Sequence, residues 1–323
     1  MKWSRNAFAA LCAMLLCAGA WAQEYPTRVI RIIVASAPGG PVDITARVIA
    51  ERLADAWKQS VIVENRVGAS EMIGTAAAAK APPDGYTLLV VANPFTVNPA
   101  VFSKLPYDPV RSFTPVTMLT QTPMALVANP KAPFNSIKEL VAVAKARPGD
   151  IAWASAGNAT MNHITGEQFA AETGVKLLHV PYKDGSPAAA NAVIAGDTQF
   201  GIVGLNSALP FVKSGRLKAL AVTTEKRTAL APDLPTLAEL GVQGVDAAVR
   251  VGMYAPAGTP KEVVTKLNAE VNRILKDPTT RQQLANLGAE AYGSTTPEEH
   301  EAIIRRIAAQ IAKIVAQANI RVE

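Results

Sequence analysis

Ile32-Ile33-Val34-Ala35-Ser36-Ala37-Pro38-Gly39-Gly40-Pro41-Val42-Asp43 joins two patterns. A short apolar, β-branched run ends at Pro-Gly-Gly, and apolar residues then recur at helical spacing through Ile44, Val48, Ile49, Leu53 and Trp57. Strand, glycine turn and helix is the arrangement that aims free backbone N–H groups and a positive helix end at an anion. Gly39 and Gly40 allow close approach of a ligand to the backbone. Taken alone, the stretch is equally a plain βα connection, and Asp43 in the first helical turn is equally a helix-capping carboxylate.

Outward from that turn the same alternation continues. Val29–Val34, Ser60–Glu64 and Tyr86–Val91 read as strands, Val42–Ala56 and Ile73–Ala81 as helices. A second unit follows: an extended Val116–Val127 interrupted by Pro123, then a helix over Ile137–Ala146 capped by Ser136 with Glu139 at its third position. Ile151–Ser155, Val175–Val180, Phe200–Val203 and Leu217–Val222 are strands, and Met161–Thr173 and Pro187–Ala195 are helices. Thr228–Val245, rich in Pro and Gly, reads as a surface loop with a short helix; Val249–Ala255 is extended again. Two amphipathic helices, Lys261–Lys276 and Pro297–Asn319, close the chain. The alternation implies an α/β fold with a largely parallel sheet. Two extended segments, at Pro123 and Val249, are candidate crossings between two lobes, giving a hinged clamshell. The predicted lobes are 23–123 plus 250–323, and 124–249.

The first 22 residues have the pattern of a secretory signal: Lys2 and Arg5, an apolar run from Ala7 to Ala20, and Ala20-Trp21-Ala22 as a cleavage site after Ala22. Leu11 and Leu16 precede the only cysteines, Cys12 and Cys17, which does not fit a lipobox, so the expectation is an exported soluble protein. Without those cysteines the mature chain has no disulfide, thiolate metal site or cysteine nucleophile. Losing Lys2 and Arg5 from the 32 basic residues leaves 30 against 26 acidic ones, a net +4 with no basic run. That balance argues against nucleic acid as a partner.

Ala154-Ser155-Ala156-Gly157-Asn158-Ala159-Thr160-Met161-Asn162-His163 repeats the opening pattern in the second unit. Ser155, Asn158 and Thr160 offer donors beside a helix start. Thr160 or Asn158 alone would be a cap; a matched pair of turns, one per lobe, points to a ligand between them. Asn93, just after a strand, is placed to reach the same cleft or to form a turn before Pro94. A secreted serine hydrolase using Ser155 and His163 is the alternative, although Ala-Ser-Ala-Gly lacks the glycine pattern of a nucleophile elbow. His163, His179 and His300 have no metal spacing, and no cofactor motif is present.

Taken together, the motifs resemble the Bug receptors, the substrate-binding proteins of tripartite tricarboxylate transporters. The resemblance runs through Tyr25-Pro-Thr-Arg-Val-Ile-Arg-Ile-Ile-Val34, Ala37-Pro-Gly-Gly-Pro-Val-Asp-Ile-Thr-Ala-Arg47, Val63-Glu-Asn-Arg-Val-Gly68, Pro83-Asp-Gly-Tyr-Thr-Leu-Leu89, His179-Val-Pro-Tyr-Lys183 and Ala255-Pro-Ala-Gly-Thr-Pro260. It implies a type II-like periplasmic binding protein, a monomer that binds a small carboxylate and serves an inner-membrane permease or a sensor. Carried onto this chain, the binding positions are Pro38, Gly39, Gly40, Asp43, Ser155, Ala156, Gly157, Asn158, Thr160 and His163, with contacts made partly through water. The chain departs from the family pattern at Ser70-Glu71, at Asp184 after Tyr182-Lys183, at Val203-Gly204 and at Arg250. If they reach the cleft, Glu71 and Asp184 favour a ligand with a cationic group, and Arg250 favours a second carboxylate; each is equally compatible with the solvated rim.

Overall fold

The computed structural model describes residues 25–293 and 295–320. The expected signal segment lies outside them. In chain order the elements are β1 (Ile30–Val34), α1 (Pro41–Trp57), β2 (Val61–Asn65), α2 (Met72–Ala79), β3 (Thr87–Val91), α3 (Pro94–Val101) and β4 (Phe113–Ala128). Then come α4 (Ile137–Ala146), β5 (Ala152–Ser155), α5 (Met161–Thr173), β6 (Leu178–Pro181), α6 (Gly185–Ala195), β7 (Phe200–Gly204), α7 (Leu205–Lys213) and β8 (Lys218–Val222). The chain finishes with β9 (Ala248–Pro256), α8 (Lys261–Lys276), α9 (Pro278–Asn286), β10 (Glu290–Ala291) and α10 (Pro297–Gln317). No helix among the described residues is long and apolar enough to cross a membrane.

Strand order is β2-β1-β3-β9-β4-β7-β5-β6, with β8 and β10 also paired to β4. The expected largely parallel sheet holds only toward the two ends: β2-β1-β3 and β6-β5-β7 are parallel, while β9 and β4 run antiparallel to their neighbours. The reason lies in the connections. Helical crossovers return the chain parallel, whereas β4 and β9 pass from one half of the molecule to the other in opposite directions. Phe113 to Pro123 of β4 pair with β9, and Met124 to Ala128 pair with β7.

The alternation in β1 divides its side chains between two cores. Ile30, Ile32 and Val34 pack with Val42, Ala46, Ile49 and Leu53 of α1 and Leu267 and Val271 of α8. Ile33 joins Leu89, Val91, Ala78 and Phe95 on the opposite face. Each such fully buried side chain stabilises by about 1.5–3 kcal/mol. In the second half, Trp153 packs with Phe169, Phe200 and Leu126 in a cluster that also takes Ile307, Ile311 and Ile314 from α10. Gly166 makes that packing possible, because a Cβ there would stand 1.9 Å from Cη2 of Trp153.

Three helices escape a reading of sequence pattern. α3 begins at Pro94 and contains Pro99, so its breakers mask it. α7 contains Pro210, and it follows β7 with no break in the apolar run. α9 is short and polar, held by Asp277, whose carboxylate accepts from the Thr280 amide. Conversely, Thr228–Val245 forms turns without the expected helix, tied down by pairing of Val222 with Thr236.

Candidate functional site

The turns after β3 and β5 border one cleft of about 370 Å³. One wall is Ser70 with Asn93, Asn98 and Phe102 of the α3 segment; the other is Asn158, Ala159, Thr160, Met161 and Asn162, with Val249 of β9 also lining it. Of the fourteen residues expected at the site, Ser70, Asn93, Asn158 and Thr160 line this cleft. Asn98, Met161, Asn162 and Val249 also line it and were not expected there. For Asn98 the missing signal is the hidden helix α3; for Met161 and Asn162, immediate proximity to Thr160 was signal enough.

The second wall is a helix start built for an acceptor. Thr160 caps α5, its Oγ1 accepting from the His163 amide at 3.3 Å and donating to the Gly157 carbonyl at 2.7 Å. The Ala159 amide is taken by Nδ1 of His163 at 3.1 Å, and the Gly157 amide by Ser155 Oγ at 3.2 Å. The amides of Asn158, Thr160, Met161 and Asn162 have no acceptor among the described residues. Four free N–H groups at the positive end of a thirteen-residue helix, in residues that line a cleft, are an arrangement chemically suited to an anion.

Ser155, Gly157 and His163 therefore stand behind this wall rather than on it. Ser155 is fully buried, and its Oγ lies 2.6 Å from Nε2 of His179, not of His163. The two imidazoles stack with centroids 3.9 Å apart. Burial, and then the neighbouring His163, push the pKa of His179 down to about 4. The expected Ser155–His163 pair is thus corrected: the topology places β6 beside β5 and brings the other histidine to the serine. With that hydroxyl buried, the hydrolase reading is not favoured.

The Pro38-Gly39-Gly40 turn sits at the end of β1, beside the end of β3. Gly39 adopts φ +77°, a conformation that favours glycine, and its amide donates to Asp43 Oδ2 at 2.8 Å. Asp43 is buried and also accepts from Arg47 and from Asn65, each at 2.9 Å. Burial opposes its ionisation, but hydrogen bonds from Arg47, Gly39 and Asn65 outweigh that and hold the carboxyl below the ordinary aspartate range. Asp43 is thus the brace of the turn. The amides of Val42 and Asp43 remain without an acceptor among the described residues.

The departures from the family pattern fall in different places. Asp184 is exposed at the start of α6, and Gly204 is buried, its amide donating to Ser186 Oγ at 3.1 Å. Ala156 is half-buried and does not line the cleft. Glu71 follows Gly68, Ala69 and Ser70 in a run of four positive φ angles. Its burial raises the carboxyl to about 7, against a hydrogen bond from the Ala92 amide. Arg250 is buried just beyond Asn93. A larger concavity, about 480 Å³, lies between Asn129–Pro133 and Ile194–Gln199. There α6 ends, its last carbonyls taken by the Gly196 amide and Asn129 Nδ2, and Lys131 and Arg216 also line the wall.

The sequence profile described as tripartite tricarboxylate transporter family receptor matches residues 45–320. The chain belongs to this family. Among its relatives, BugT of Bordetella pertussis is 36% identical over 270 residues, covering 83% of this chain and 82% of BugT. Among solved structures, the periplasmic binding protein BugD superposes with a TM-score of 0.71 at 35% identity, covering 92% of this chain and all of that one. The Rhodopseudomonas palustris structure described as Rpa4515 with adipate superposes with a TM-score of 0.75 at 33% identity, over 93% of this chain and all of that one. The family is one of two-lobed solute-binding receptors, and the two halves joined by β4 and β9 are that fold.

Proposed function

We propose that the protein is an exported, periplasmic receptor that captures a small organic acid between its lobes. The reading assigns 23–123 plus 250–323 to one lobe and 124–249 to the other, with removal of the export signal after Ala22. The observation that carries it is the set of unclaimed amides at Asn158, Thr160, Met161 and Asn162, facing Asn93 and Asn98 across the cleft. One carboxylate can accept several of those N–H groups, as charge-assisted hydrogen bonds in a partly dry site. The adipate held by a relative of the same fold suits that chemistry. Pro38, Gly39 and Gly40 join the contact on closure, through water, while Asp43, Ser155, Gly157 and His163 brace the two turns. Closure follows only from tighter binding to the closed form. The monomeric receptor then hands its acid to an inner-membrane permease or reports it to a sensor.

Thermal melts of the mature protein against mono- and dicarboxylates of two to eight carbons test this reading. A ligand at a hundred times its Kd adds about 2.7 kcal/mol of stability. A rise in melting temperature with at least one acid is the expected result. No shift and no heat of binding across the whole panel would refute it.

A further inference from the structure

Beyond Asn93 lies a second cavity, about 10 Å³, lined in part by Ala92, Asn93, Thr96, Arg250 and Tyr254. That is room for one water and too little for a carboxylate. Ala92 and Asn93 line both this chamber and the main cleft, so they form the partition between them. Asn93 is itself fastened to the strand carrying Arg250: its Nδ2 donates to the Ala248 carbonyl at 3.1 Å, and its Oδ1 accepts from the Arg250 amide at 3.0 Å.

Arg250 is 7% exposed. Its Nη2 donates to Asp246 Oδ1 at 2.7 Å, but Nε and Nη1 find no acceptor among the described residues. Asp246 is also claimed by Arg306 at 3.1 Å, so two guanidinium groups share one carboxylate. The other titratable groups beside the chamber are Tyr254 and His300, which bond each other at 3.1 Å and which burial keeps neutral, and Glu71, whose carboxyl accepts from the Ala92 amide and which burial raises to about 7. Arg306 is half-exposed, so what lies buried behind the cleft wall is the Arg250–Asp246 pair, with two guanidinium N–H donors unspent. A guanidinium has no acceptor of its own and stays charged, so these donors call for a negative or strongly accepting partner.

We propose that Arg250 reads a second acidic group on the ligand, through one water held in the chamber behind Asn93. Its effect is selectivity: a diacid gains from the buried charge, while a monoacid of equal length does not. The inference rests on the carboxylate-receptor reading, and it places the first carboxylate at the α5 amides and the second toward Asn93.

Calorimetric titration with matched pairs tests it: glutarate against valerate, and adipate against hexanoate. The wild-type protein should bind the diacid of a pair more tightly. Arg250→Gln should lower that preference at least tenfold while changing monoacid affinity less than twofold. Arg250→Lys keeps the charge but lacks the fork, and should lower the preference at least threefold; it decides the matter if Arg250→Gln does not fold. Equal weakening of both members of a pair, or an unchanged preference, overturns the role of Arg250 and leaves the receptor standing. A wild-type protein that binds none of the four acids, nor any other of the wider panel, brings down the receptor reading itself and Arg250's role with it.

Discussion

Ser155 Oγ and His179 Nε2 lie 2.6 Å apart on adjacent parallel strands, beneath the turn that carries the free amides of Asn158 and Thr160. The same hydroxyl accepts from the Gly157 amide, so the pair fixes the floor of the proposed anion site. Ser155→Ala would leave a ring nitrogen and an amide without a partner. The expected loss is about 1–3 kcal/mol of stability, seen in denaturant unfolding, together with weaker acid binding. Wild-type stability and affinity in that variant would show that the pair is incidental.

Acid should loosen the protein through its histidines. His179, with a pKa near 4, and His300, near 3, are both depressed by burial from about 6.5. Their unfolded forms take up protons first, so their contribution is complete above pH 6.5 and is lost as the pH falls toward 4 for His179 and toward 3 for His300. His300, fully buried, carries most of what is lost by pH 4, about 3 kcal/mol; half-buried His179 adds about 1–2 kcal/mol after solvent screening. Melting temperature measured from pH 7.5 to 4 should fall accordingly. A flat profile across that window would contradict the burial of these rings.

Glu71 acts with the opposite sign. Its folded pKa near 7 lies above the usual carboxyl value, so the folded state holds a proton that the unfolded chain releases. Its contribution is complete below about pH 4.5 and disappears as the pH rises through 7. Glu71→Gln should therefore leave stability unchanged at pH 4.5 and raise it by about 2 kcal/mol at pH 8. Paired melts of the variant and the wild type at the two pH values check this; a pH-independent difference would refute it.

Two further substitutions probe the turns. Asp43→Ala removes the acceptor shared by Gly39, Arg47 and Asn65, and should destabilise by about 2–4 kcal/mol. Gly157→Ala forces a side chain onto φ +117°, at a cost of about 1–3 kcal/mol. Chemical unfolding measures both. Losses under 0.5 kcal/mol in either would mean that the turn is not held as described.

The elements read best from sequence are those whose pattern is local. The apolar β1 run, the Pro38-Gly39-Gly40 stop and the stripe of α1 are written within some thirty residues, and the Ser136 and Thr160 caps carry their own signature. What the chain hid was long-range. His179 meets Ser155 only because β6 pairs with β5, and the burial of Arg250 depends on Asp246, Arg306 and the α3 and α10 segments closing over it. Asn98 became a wall residue through a helix disguised by its own prolines. In the Pro38-Gly39-Gly40 turn the Gly39 and Gly40 amides are taken by Asp43 and the Ala37 carbonyl, whereas the free amides on the cleft wall belong to the second turn.

The central claim is that a carboxylate is held by the amides that start α5. Backbone amide NMR shifts, followed while the tightest-binding dicarboxylate of the panel is titrated in, test it most directly. The largest saturable changes should fall on Asn158, Thr160, Met161 and Asn162. Saturable binding that leaves those four amides unmoved, or that centres on Asn129–Pro133, would contradict the account.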